Sequence, residues 1–312
     1  MEQGKKILVV GAAGMELYIN TRSLPRAGER VSDLGGIGYL PGGKGLLVAL
    51  AASKLGDGVA VCTKLGADSN GQRLYKLLKE SGVDTGAVMV DHDHQTMTSV
   101  VIREGEGEPG ELVYPGAVSY ITVDSLNDAF GRSPDAVYLC CDLPSQTMLQ
   151  TAKMAVLRGI PLIFDLDSGC PEAELENMPE ADAVIIADRD VMALTGVMPL
   201  GMDSALRASL ALSKKVKCRS IVIKQGARGA FVYDNKRYYA IPPVRADKAV
   251  SETGAGVAFG AAFASEFLYS GGDIKSSATY AAAAGAIAVT RQGVISSMPA
   301  SEEICELLNK NR

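Results

Sequence analysis

Short apolar runs alternate with longer stretches of helical spacing along most of this chain. Six runs read as buried strands: KILVVG (6–11), VAVCTKLG (59–66), AVYLC (136–140), IPLIFDLD (160–167), ADAVIIA (181–187) and SIVIKQG (220–226). Between them, segments 45–55, 70–81, 146–158, 189–195 and 203–214 repeat apolar residues three and four apart, as one face of a helix does. This alternation predicts an α/β fold, a parallel sheet covered by helices, since parallel neighbours need a helix-length crossover. Beyond residue 254 the strands stop. Segments 255–269, 274–290 and 301–310 read as three helices, rich in Ala and Ser, that pack late onto the sheet.

Two stretches break the rhythm. Residues 15–40 and 96–114 alternate with a period of two and are punctuated by glycine; the second reads as a hairpin turning at GEGEPGE (105–111). Joined into one small sheet, they would lie over the strand ends, where α/β proteins bind ligands, and act as a lid. With no internal repeat and no long linker, residues 1–312 read as a single domain with lid inserts at about 15–40 and 96–114.

Composition narrows the function classes. Hydrophobic residues make up 47% and charged residues 21%, which is globular rather than disordered. Aromatics are only 5%, with no Trp, so the core is built from Ala, Val, Leu, Ile and Met. The net charge of −5 comes without any basic run, which excludes a nucleic-acid partner from the expectation. The six cysteines form no C-x-x-C pair and most lie in apolar runs, so buried reduced thiols are expected. MEQGKKILVVG is too short for a signal core, and AAAAGAIAV (281–289) is far below a membrane span. A soluble, cytoplasmic protein without a membrane partner is expected.

Candidate chemistry sits at two glycine turns that open helices. In PGGKGLLVALAASKLG (41–56), Gly42 and Gly43 permit close backbone approach, the helix start offers N–H groups, and Lys44 reaches the same point. A plain loop-to-helix connection would look the same. In SETGAGVAFGAAFASEF (251–267), Gly254, Ala255 and Gly256 open a second helix, and tight helix packing explains this segment equally well. Two such turns on one chain favour anion binding.

These segments belong to an ordered set: GAAGMEL (11–17), PGGKG…AASKLG (41–56), LGADSNG (65–71) with SGVDT (81–85), ADRDVMALTG (187–196), GAGVAFGAAF (254–263) and AIAVTRQG (286–293). In that order and spacing the chain resembles, over essentially its whole length, the PfkB/ribokinase family of carbohydrate and nucleoside kinases. The resemblance implies a ribokinase-like fold, with a mostly parallel sheet, helices on both faces and a small β lid. It also implies ATP with Mg²⁺ as co-substrate, a sugar or nucleoside hydroxyl as phosphoryl acceptor, and a homodimer formed through the lid. Carried onto this chain, the phosphate cradle is Gly254, Ala255 and Gly256, and the nucleotide side holds Lys224, Gly226 and Asp190. The acceptor pocket holds Gly14, Glu16, Gly42, Gly43, Lys44 and Leu47.

The departures from the family pattern are concentrated at this site. The catalytic Asp that follows the cradle is Val257, which neither accepts a proton nor hydrogen-bonds a hydroxyl. The sugar-binding Asn and Asp of the early motif are Gly14 and Glu16, and the Asn after Gly-Gly-Lys-Gly is Leu47. The N-x-x-E motif near Mg²⁺ reads Ala187 to Asp190, and a nucleotide-side Thr is Lys224. An Asp that helps bind a monovalent cation is Ser251.

Loss of a general base alone slows a reaction ~10²–10⁴-fold. Unpaired acceptor hydroxyls add roughly 1–3 kcal/mol each. The expectation is a degenerate kinase homologue that binds nucleotide or phosphate with weak or no transfer. The alternative is an active kinase on an atypical acceptor, with Glu16 or Glu252 as substitute base. Lys224 either attracts phosphate or fills the nucleotide cleft. Elsewhere, Asp91-His92-Asp93-His94 reads as a solvated turn rather than a metal site, Glu302-Glu303 as a helix first turn, and Cys140-Cys141 as strand-end core.

Overall fold

The structure is a computed structural model, and it describes residues 5–311 except 33, 106, 108, 109, 168, 171 and 236. Seven strands run parallel: β1 (Lys6–Val10), β4 (Gly58–Gly66), β5 (Val88–Asp91), β8 (Ala136–Cys140), β9 (Leu162–Leu166), β10 (Ala181–Ala187) and β11 (Cys218–Lys224). An antiparallel hairpin, β12 (Ala230–Asp234) and β13 (Arg237–Ile241), extends one edge. The nine strands lie in the order β13-β12-β11-β10-β9-β8-β1-β4-β5. The two hairpin strands were not anticipated from the sequence, although Asp234-Asn235, with Asn235 at φ 46°, is the turn signal between them.

Strand alternation divides the core in two. Ile7, Val9, Tyr138 and Ile185 face α1 (Lys44–Lys54), α8 (Ala255–Tyr269) and α9 (Ile274–Ala288); Leu8, Val10, Val137 and Ile186 face the opposite layer. The opposite layer includes α4 (Ser145–Leu157), α6 (Asp188–Thr195) and α7 (Met202–Leu212). The predicted helices therefore stand within one or two residues of their expected ends, and both faces of the sheet are covered.

The two inserts form one sheet, as expected. β2 (Gly14–Thr21), β3 (Leu34–Gly42), β6 (Met97–Glu104) and β7 (Gly110–Tyr114) lie in the order β3-β2-β6-β7. Three of the residues in the expected GEGEPGE turn lie outside the described set. The root of the β6 hairpin is tied by Asp68, whose carboxylate accepts Thr96 N–H at 2.8 Å and Thr96 Oγ1 at 2.7 Å.

Two smaller expectations need correction. Asp91 is not a solvated turn residue: it is buried at the end of β5, paired with Lys64 at 2.7 Å and His94 at 3.1 Å. Cys305 is exposed on α10 (Ser301–Lys310), because it lies on the polar face of a helix that buries only Ile304. Glu303 does serve the first turn of α10, accepting Ala300 N–H at 2.8 Å.

Candidate active site

The C-terminal ends of β1, β8, β9, β10 and β11 converge below the lid. Asp142, just past β8, ties the end of β1 to the start of α1: its carboxylate accepts the Ala12 N–H at 3.1 Å and the Lys44 N–H at 3.0 Å. Burial outweighs the Lys44 charge and these hydrogen bonds, so its pKa is raised above the ordinary carboxylate value.

Gly43 caps α1 at φ 86°, and a Cβ there would lie 2.6 Å from the Ala12 carbonyl. The Gly43 N–H donates to Glu16 Oε1 at 3.0 Å, and the Leu46 N–H donates to the Ala12 carbonyl at 3.0 Å. The start of α1 was read as an acceptor-side turn whose N–H groups could meet oxygen atoms, or as a plain loop-to-helix connection. It is largely filled by the chain's own acceptors, Asp142, Glu16 and Ala12.

Glu16 descends from β2 onto this turn. Its carboxylate also accepts the Tyr18 hydroxyl, and a Cβ on Gly42 would lie 2.1 Å from its carboxyl carbon. Burial, then Glu16 itself, pushes the Tyr18 pKa well up, so the phenol remains a donor. Leu47 is 6% exposed and belongs to the core behind the turn, which makes it apolar floor rather than an open ligand contact. Gly14 has no room for a side chain: a Cβ would meet the Met97 carbonyl at 2.6 Å.

Deeper in, a buried carboxylate lies between two ammonium groups. Asp165, 2% exposed, has its Oδ1 3.9 Å from Lys44 Nζ and 3.6 Å from Lys224 Nζ, and its Oδ2 accepts the Tyr138 hydroxyl at 2.7 Å. Oδ1 itself receives no hydrogen bond. Lys44 Nζ bonds Asp167 at 3.1 Å. Burial alone would lower the Lys44 pKa, but Asp165 foremost, with Cys141 and Asp167, holds it well above the ordinary value. Burial opposes ionisation of Asp167, yet the Lys44 charge and its hydrogen bonds leave its pKa lowered, so Asp167 stays ionised. Asp165, Asp167, Tyr138 and Asp142 were missed by sequence reading; Lys44 and Lys224 were named by it. The available signal was FDLD, two carboxylates at the C-terminal end of an apolar strand.

The second glycine turn is the open one. Gly254 caps α8 at φ 90°, and the first turn of the helix is closed by Ala258 N–H on the Gly254 carbonyl at 2.9 Å. The N–H groups of Gly256 and Val257 precede that bond and have no place in the helical ladder. A Cβ on Gly256 would stand 3.8 Å from Lys224 Nζ, so Lys224 turns inward to this cradle. Val257 is half-buried and packs on the α1/α8/α9 core.

The preceding loop is closed by its own hydrogen bonds. Val250 and Ser251 N–H donate to the Val289 carbonyl at 2.7 and 3.0 Å, and Ser251 Oγ accepts Thr253 N–H at 3.2 Å. No carboxylate stands at Ser251, and its hydroxyl is engaged, so the residues present do not fit the monovalent-cation site.

Asp190 lies in the first turn of α6, after β10, and Gly226, at φ 55°, follows β11. Asp188 pairs with Arg228 across these two strand ends at 2.7 Å. Among the described residues no group of three or more His, Cys, Asp or Glu could hold a metal alone. A Mg²⁺ ion arriving on phosphates needs only one or two carboxylates. Glu252 is exposed. No described helix is long and apolar enough to cross a membrane.

Comparison with known proteins agrees with this architecture. Residues 4–301 match the pfkB family carbohydrate kinase family. The chain is 27% identical to a ribokinase of Arabidopsis thaliana, over 97% of this chain and 80% of that one. It is 28% identical to fructokinase-1 of Zea mays, over 96% and 99%. The solved structure of Arabidopsis thaliana ribokinase complexed with ribose and ATP superposes with a TM-score of 0.85 at 26% identity, covering 98% of this chain and 99% of that one.

Proposed function

This chain belongs to the PfkB family of carbohydrate kinases, and on that footing we propose that it is a degenerate member. In this reading it binds a nucleotide at the α8 cradle and a small sugar- or nucleoside-like ligand under the lid, and transfers phosphoryl groups weakly or not at all. The observation that carries the reading is Val257: the first turn of α8 presents a packed aliphatic side chain where the family reaction requires a base. The carboxylates turned toward the site are already engaged, and Glu252 lies exposed on the loop before α8. Glu16 is spent on Gly43 and Tyr18, Asp142 on Ala12 and Lys44, Asp167 on Lys44, and Asp165 lies between two lysines.

Nucleotide binding is supported by the free N–H groups at Gly256 and Val257, which need no side chain to hold a phosphate. That the Arabidopsis thaliana ribokinase was solved with ribose and ATP supports nucleotide binding. Mg²⁺ on the nucleotide would be met by Asp190 and would neutralise phosphate charge. A base contributes ~10²–10⁴-fold, and phosphoryl transfer depends otherwise on positioning. Here the acceptor side is altered too, by Leu47, Gly14 and the engaged Glu16.

The lid supports a homodimer. Strand register puts Leu17, Ile19, Ile37, Tyr39, Val100, Ile102 and Leu112 on one face, opposite the Glu16 face. Ile37 and Leu112 are 67% and 69% exposed, an apolar surface that a second copy would cover.

The test is an ATP-turnover screen over pentoses, hexoses and nucleosides, with calorimetry of Mg-ATP binding. Binding without turnover is expected. Robust turnover with any acceptor would establish the alternative, an active kinase with an atypical acceptor.

A further inference from the structure

The two ends of the β6–β7 hairpin meet at a histidine. The chain enters β6 through His94, Gln95 and Thr96, and leaves β7 through the 3-10 turn Gly116–Tyr120. We propose that His94 is a proton-operated clasp on this half of the lid: its imidazolium holds the entry and exit of the hairpin together, and its neutral form lets them part. The clasp is independent of the reading of Val257.

Three observations lead there. The first is contact between the two ends. The His94 and Tyr120 rings are stacked, with centroids 3.7 Å apart and planes 15° from parallel. Beside them the Ala117 N–H donates to the Gln95 carbonyl at 2.8 Å, and a Cβ on Gly116 would lie 2.2 Å from that same oxygen.

The second is the partner of the ring. Asp91 Oδ1 lies 3.1 Å from His94 Nδ1 and accepts the backbone N–H groups of Asp93 and His94 at 2.9 and 2.8 Å. Lys64 Nζ lies 2.7 Å from Asp91 Oδ2 and donates to the Tyr120 carbonyl at 3.0 Å. The Lys64 ammonium foremost holds the Asp91 carboxyl below the usual carboxylate range, so Asp91 stays ionised where an imidazole changes charge. Protonation of the ring then makes its contact with Asp91 charge-assisted and sets a cation on the face of Tyr120.

The third is the balance of charge around the ring. β5 contributes Asp91, β4 contributes Lys64, and the turn 116–120 has no charged side chain. Asp68, beyond the end of β4, is directed at Thr96 and Gly71, while His92 and Asp93 on the same connector are exposed. Lys64 opposes the imidazolium, but it bonds the far oxygen of Asp91, whereas the ring meets the near oxygen and the Tyr120 face. Two attractions outweigh one repulsion, and the 32% exposure of the His94 side chain keeps the difference small. A group held more tightly when protonated adds stability that is present at low pH and lost as pH rises through its titration. Acid therefore tightens the hairpin over the site, and alkali loosens it.

Amide exchange of the full chain tests this, at about pH 5.5 and about pH 7.5, after correction for base-catalysed intrinsic exchange. Protection in β6 and β7 should be about threefold higher at the lower pH, the scale of one exposed ion pair or cation–π contact. His94→Gln should abolish that difference. His94→Phe keeps a ring on Tyr120 but takes no proton, so it should abolish the difference too, and it supplies the comparison where the glutamine variant fails to fold. Tyr120→Leu should lower protection of the hairpin at both pH values and shrink the difference between them. Wild-type protection of the hairpin that does not change with pH would overturn the proposal. So would either histidine variant that keeps the wild-type difference, or a hairpin that Tyr120→Leu leaves untouched.

Discussion

The carboxyl group of Glu16 fills the space above Gly42: a single carbon added to Gly42 would lie 2.1 Å from the Glu16 carboxyl carbon. This contact ties the first lid strand to the start of α1 through the Glu16–Gly43 hydrogen bond. It also holds Glu16, one of the residues expected in the acceptor pocket, against the start of α1.

Gly42→Ala should therefore destabilise the protein by expelling Glu16, at about 1–3 kcal/mol for a lost hydrogen bond to a charged group. In a Glu16→Ala background the same change should cost much less. Chemical denaturation of the double-mutant cycle measures the coupling. Additive effects would show that the two residues do not compete for one space.

Restoring Val257→Asp alone should recover little sugar phosphorylation, because acceptor positioning outweighs the base. Adding Leu47→Asn should recover more than the sum of the two, at a stability cost of about 2–4 kcal/mol, since Leu47 is core. Gly14→Asn is not a useful third change: the Met97 carbonyl leaves no room for it. Turnover of order 1–100 per second from Val257→Asp alone would show an intact acceptor pocket.

Asp57 controls a pH dependence far from the site. It is 7% exposed, Ser265 Oγ donates to its Oδ1 at 3.1 Å, and the Tyr269 hydroxyl also hydrogen-bonds the carboxyl group. Burial pushes its pKa from 3.8 up to about 6. Between those values the folded chain holds the proton more tightly than the unfolded chain. The Asp57 contribution to stability therefore falls as pH rises from about 4 to 6 and is a constant penalty above, on the order of 3 kcal/mol. Asp57→Asn should be more stable than wild type at pH 7.5, with the difference shrinking toward pH 4. A difference independent of pH in denaturation curves would contradict this.

Hydrogen exchange should be fastest in the lid, above all in β7, every residue of which is exposed. Thr96→Ala removes the hydroxyl that bonds Asp68 and accepts Gly66 N–H, so it should cost about 1–2 kcal/mol and speed exchange through β6. Ligand should slow the lid. Equal protection of lid and main sheet, with and without ligand, would exclude it as the mobile element.

The lid face offers a separate test. Ile37→Lys with Leu112→Glu should shift the chain from dimer to monomer in light scattering while leaving the thermal midpoint nearly unchanged, because both side chains are exposed in the single chain. A wild-type monomer at micromolar concentration would remove the dimer.

What the sequence determined by itself was local in origin. Side-chain period is a property of neighbouring residues, so the strands at 136–140 and 181–187 and the helices at 255–269 and 301–310 were legible to their ends. The lid was legible as two β-like inserts and Gly254 as a glycine turn, while Val257 stood out only through the family resemblance. The hairpin β12–β13 was not read, because its alternation is short and its strands pair only with each other and one sheet edge.

Only tertiary structure decided which helix start is free. Both glycine turns look alike in sequence, yet the start of α1 is filled by Asp142, 98 residues from Lys44, and by Glu16, 27 residues from Gly43. The same holds for Asp165, whose meaning comes from Lys44 and Lys224 on two other elements. Hydrogen bonds and ion pairs between distant residues depend on where the folded backbone aims each side chain, and no local pattern encodes that direction.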